Sequence, residues 1–75
     1  MKPTKKTFGK YEVRINQKGM VSVYYVWSEN DKELFKDNLT AVDAMLWMRD
    51  GYIRKGNPMY DKVKAFLWPY VEAEF

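Results

Sequence analysis

The chain has no cysteine and no histidine. Those two absences exclude disulfides, thiolate or imidazole metal sites, and catalysis by a Cys or His nucleophile or base. Long apolar runs are missing too. No run is longer than Val23 to Trp27, which is far too short to span a bilayer, so a membrane partner is not expected. The basic stretch "MKPTKKTFGK" is not followed by the apolar segment of a signal peptide, and a chain without cysteine suits the cytoplasm. With four glycines and three prolines there is no low-complexity segment, repeat or linker. A glycine-rich phosphate loop, a metal-ligand cluster and a nucleophile beside a base are all lacking. The acids are scattered over turns and helix surfaces. The expectation is a protein that is not an enzyme and holds no metal and no cofactor.

What is present is aromatic. Of 75 residues 17% are Phe, Trp or Tyr, and five more are Met. A chain of this length makes one domain that buries only roughly 60% of its unfolded surface. Small domains commonly add a disulfide, a metal or a partner subunit. Large rings are another remedy, because each buries much area. The net charge of +3 is unevenly placed. Lys2, Lys5 and Lys6 stand in the first nine residues with no acid, whereas residues 10–50 hold six bases against seven acids. The excess therefore falls in residues 1–7, read as a basic tail, ahead of a small α+β domain over residues 8–75.

"KYEVRIN" alternates, with Tyr11, Val13 and Ile15 on one side and Lys10, Glu12, Arg14 and Asn16 on the other, which predicts a half-buried strand. "NQKGM" follows as a hairpin turn. A two-residue loop would scatter the apolar set over both faces. A three-residue loop, Gln17-Lys18-Gly19 with a left-handed Gly19, sets Ile15 against Val21, Val13 against Val23 and Tyr11 against Tyr25. The core face is then Tyr11, Val13, Ile15, Val21, Val23, Tyr25 and Trp27. The other face pairs Glu12 with Tyr24, Arg14 with Ser22, Lys10 with Val26 and Asn16 with Met20.

"SENDKE" reads as a turn and "ELFKDN" as a third strand. Thr40 is an N-cap before a helix whose apolar arc takes in Ala41, Val42, Ala44, Met45, Leu46, Met48, Tyr52 and Ile53, with Arg49 inside it. Gly51 or Gly56 could follow its C-cap. Asn57 as N-cap and Pro58 at the first helical position start a second helix, which Pro69 should end near Phe66 to Trp68. Val71 to Phe75 is left as strand, kinked helical extension or tail. The fold class expected is α+β: a three-stranded antiparallel β-meander followed by two α-helices packed on one face (β-β-β-α-α).

The segment containing "YEVRI", the Gly19 turn, Phe35 and "TAVDAMLW" resembles in outline the small three-stranded-sheet-plus-helix DNA readers, the integrase arm-binding domains among them. That resemblance implies a sheet face lying in the major groove. It covers about half the chain. Glu12, Tyr24 and Val26 depart from it, standing where basic or small polar readers would be expected.

Two binding functions follow. In the first, a shallow apolar patch of Met20, Tyr24 and Val26, rimmed by Lys10, Glu12 and Arg14, contacts another protein, with Trp47 on the helix as a further candidate. The protein would then regulate or inhibit its partner by occlusion, and is similar in type to small regulators encoded by phages and mobile elements. A homodimer would use the same surface. In the alternative, Lys2, Lys5, Lys6, Lys10 and Arg14 bind nucleic acid.

Overall fold

In the computed structural model, which describes residues 3–51 and 58–73, four strands are followed by two helices. They are β1 (Thr4–Phe8), β2 (Tyr11–Ile15), β3 (Val21–Ser28), β4 (Asp31–Leu39), α1 (Ala41–Gly51) and α2 (Pro58–Ala73). The strands form one antiparallel sheet in the order β1-β2-β3-β4. The α+β class and the order of strands before helices are as expected, but the strand count is four rather than three. The extra strand takes residues 4 to 7 out of the stretch read as a tail. It forms because Phe8 opposes Tyr11 across a two-residue turn led by Gly9 at φ 60°, the geometry that wants glycine first.

The β2–β3 register is the predicted one. Ile15 opposes Val21, Val13 opposes Val23, Glu12 opposes Tyr24 and Tyr11 opposes Tyr25. Gly19 adopts φ 81° and donates its N–H to the Asn16 carbonyl at 3.0 Å. The Asn16 carboxamide accepts from the amides of Lys18 (2.8 Å) and Met20 (3.0 Å), which closes the loop. This is turn chemistry of the asparagine type, in which the side chain stands in for a backbone carbonyl.

Both helices lie on one face. Val13, Ile15, Val21 and Val23 are fully buried there with Ala41, Ala44 and Met48 of α1 and Val63, Leu67 and Val71 of α2. Fully burying the Val, Ile, Leu and Met side chains among these contributes about 1.5–3 kcal/mol each. Thr40 caps α1 as expected, its hydroxyl accepting from the Asp43 amide at 3.1 Å. The expectations for Tyr52, Ile53, Gly56 and the Asn57 cap fall outside the described residues, as do those for Lys2 and the last two residues.

Two expectations are corrected. Pro69 does not end α2, which runs on to Ala73. The proline sits on the exposed side, where the carbonyl it frees can turn to water, while Leu67 and Val71 anchor both halves to the core. Trp27 is not a core residue, for it is 59% exposed. Val26 opposes Lys32 and Ser28 opposes Asp31, so Trp27 is the extra residue of a β-bulge. Its ring leans on Tyr25 at 4.6 Å, and Tyr25 also stacks with Phe35 at 5.4 Å. These rings make a satellite cluster past the end of the core.

Candidate functional site

The face of the sheet turned away from the helices is open: none of the described elements packs on it. Its centre is Glu12. By register its side chain stands with those of Arg14 on the same strand, Tyr24 on β3 and Lys32, which opposes Val26, on β4. Glu12 is nevertheless only 3% exposed. Arg14 Nε donates to Glu12 Oε2 at 2.7 Å, and Lys32 Nζ donates to Oε1 at 3.1 Å. The Arg14 guanidinium also lies over the Tyr24 ring, 4.1 Å from its centroid. One carboxylate therefore holds two cations from different strands, and one ring supports the flat side of the arginine.

Burial by itself pushes the Glu12 carboxyl up. The hydrogen bonds from Lys32 and Arg14, with their charges, outweigh that and hold it below its ordinary value. The group is an anion at neutral pH and serves as a fixed anchor. An acid in general catalysis would need the opposite shift.

Around this network the face offers apolar area. Tyr24 and Val26 are half-buried, and Leu34, which opposes Tyr24, is 48% exposed. Lys10 is exposed in the β1–β2 turn, its carbonyl accepting from the Val26 amide at 2.8 Å. Met20 lies at the far end of the hairpin, half-buried, beside Asn16 and Lys18. The structure thus brings Tyr24, Val26, Glu12, Arg14 and Lys10 onto or beside one face, with Met20 at its end. It does not bring Trp47 there. That ring packs against the core on the helix side.

The sequence reading missed Lys32 and Leu34. A reader assuming strict alternation from Phe35 would have placed Leu34 outward. Lys32 has no such signal, because β4 carries register shifts against β3 that break any simple parity. The lysines of β1 divide between faces. Lys5 opposes Arg14 on the open side, whereas Lys6 points to the helix side, its Nζ 5.7 Å from the Phe8 ring centroid. Of the candidate nucleic-acid lysines, Lys5 and Lys6 therefore do not share a surface.

Among the described residues no three acids come together to hold a metal ion, and no helix is long and apolar enough to cross a membrane. No family model, no curated protein and no solved structure matches the chain.

Proposed function

We propose that this protein is a non-enzymatic binding module that engages another protein through its open sheet face and acts on that partner by occlusion, as a regulator or inhibitor. One observation carries the reading: an uncovered sheet face on which Tyr24, Val26 and Leu34 expose apolar surface around an arginine already fixed by Glu12 and Tyr24. Tyrosine and arginine are the residue types that concentrate binding energy at interface centres. A side chain ordered before binding loses less entropy when the partner arrives.

The nucleic-acid reading has less behind it. A sheet that binds single strands stacks bases on open rings and gathers several cations along a backbone path. Here one face of the Tyr24 ring already carries the Arg14 guanidinium, and Lys5 and Lys6 point to opposite sides of the sheet.

The test is affinity capture from the cells that express the protein, with and without nuclease. The wild type and Trp68→Ala, which alters an exposed residue of α2, should retain the same partner. Tyr24→Ala should lose it while its thermal midpoint stays within about five degrees of wild type, as expected for a side chain outside the core. Equal capture by Tyr24→Ala, or capture abolished by nuclease, would remove the reading.

A further inference from the structure

The open face carries a second feature beside Tyr24. Lys5, Arg14 and Ser22 stand directly opposite one another on β1, β2 and β3, forming one row across three strands. Residues opposed in this way point to the same face with Cβ atoms about 5 Å apart. The row borders a shallow hollow, open to solvent, that is also lined by Pro3 and Asn16.

Arginine has five N–H donors, and Arg14 commits its Nε to Glu12. Its Nη groups make no hydrogen bond among the described residues, and neither does the Lys5 ammonium. The guanidinium is held at one edge by a shielded carboxylate and on one flat side by a ring. Its rotamer is thereby fixed while the rest of its donors stay free. That is how a recognition arginine is built, with a supporting carboxylate behind it and an unfilled edge in front.

We infer that the Lys5–Arg14–Ser22 row is an oxyanion subsite that receives a side-chain carboxylate of the protein partner. The inference rests on the reading of the open face as a protein-binding surface and deepens it by naming the partner's chemistry. Glu12 offsets only one of the three cations Lys5, Arg14 and Lys32, which leaves positive charge at this end of the face to complement an acidic segment. Two cations and a hydroxyl on one row match one planar carboxylate, and the Nη edge of Arg14 that Glu12 leaves free can take it in bidentate fashion. A nucleic-acid backbone would ask for more cations in line.

The experiment is a titration of the full-length, isotope-labelled chain followed by NMR, reading the Arg14 Nε–H and the amides of Lys5, Arg14 and Ser22. The probes are a blocked tetraglutamate peptide, inorganic phosphate and a short oligothymidine, all at one ionic strength. The peptide should shift these four signals saturably. Arg14→Gln and Lys5→Gln should each weaken it by about fivefold or more, since each removes a charge-assisted contact. Lys62→Gln on the exposed side of α2 should leave it unchanged. Lys5→Gln keeps the test decisive if Arg14→Gln disturbs the fold, because Lys5 takes no part in the Glu12 network. Absence of a saturable shift, undiminished binding by Lys5→Gln, or tighter binding of phosphate or oligothymidine than of the peptide would each overturn the assignment. The capture experiment with Tyr24→Ala would stand independently of that failure.

Discussion

On the helix side of β2, Val13 is fully buried beneath two helices; one residue earlier, on the opposite side, Glu12 is buried almost as completely with no second layer over it. The two faces reach the same exposure by different means. Val13 is covered by elements distant in sequence, which fold around it. Glu12 is covered by the long side chains of its own sheet, Arg14 and Lys32, which lie down over it because it carries the opposite charge. The helix side therefore sets whether the chain folds, and the open side is the one on which we propose a partner binds. Variants on the two sides should behave accordingly.

The widest gap is expected between two leucines. Leu67→Ala on α2 removes a fully buried side chain and leaves a cavity, at a cost of about 2–5 kcal/mol. In a chain of this size that is a large share of the total stability. Leu34→Ala on the open side, at a residue already 48% exposed, should cost well under ~1 kcal/mol. Urea midpoints of the two variants measure the gap directly. If Leu34→Ala proved as damaging as Leu67→Ala, the open face would be a second core and its residues unavailable for binding.

Next in size is Glu12→Gln. The amide keeps the shape of the side chain but leaves Arg14 and Lys32 without their anion. Removing one partner of a buried pair costs several kcal/mol. Here the cations are themselves partly exposed, Arg14 by 41% and Lys32 by 28%, so the loss should be nearer ~1–2 kcal/mol. The effect has a pH signature. Because the folded carboxyl titrates below its ordinary value of about 4.5, the unfolded chain binds the proton more readily. The stabilisation from Glu12 is complete above that ordinary value and is lost as the pH falls below it through the folded value. The stability difference between wild type and Glu12→Gln should thus shrink on going from about pH 6 to about pH 3. A difference that did not change with pH would mean that packing, and no ionic contact, shields this residue.

How much of this was readable from the letters depends on which neighbours decide each position. The hairpin register was legible because only one loop length places Ile15, Val13 and Tyr11 opposite apolar residues, and Gly19 supplies the backbone angle that loop needs. The strand β1 was not. Its helix-side positions are Thr4, Lys6 and Phe8, so alternation is nearly absent, and it becomes a strand by pairing with the edge of β2. Trp27 followed the alternation rule until a bulge set it out of line, and Pro69 followed the helix-breaker rule until tertiary anchoring overrode it. At the candidate site, the pairing of Glu12 with Tyr24 was legible from the register. The bridge from Lys32 was not, because β4 slips relative to β3 and nothing local in the sequence records those slips.

The smallest effects should come from positions that neither face packs, where only the backbone is at stake. Gly19 and Asn38 both hold left-handed angles, φ 81° and 57°. Alanine at 19 places a Cβ against the preceding carbonyl, which costs roughly 1–2 kcal/mol, less the several tenths it recovers by stiffening the unfolded chain. The net loss expected for Gly19→Ala is ~1 kcal/mol. Asparagine tolerates this conformation better than other residues with a side chain, so Gly19→Asn should recover part of that loss. At position 38, an exposed site in the irregular part of β4, the comparison runs in reverse. Asn38→Gly relieves the residual strain but makes the unfolded chain more flexible, so the two terms nearly cancel and the change should stay within about 0.5 kcal/mol. Thermal unfolding of the three variants tests the ordering. A loss for Gly19→Ala as large as that for Leu67→Ala would show that the hairpin turn, more than the packing of the helices onto the sheet, holds the register that sets Tyr24 and Arg14 on the open face.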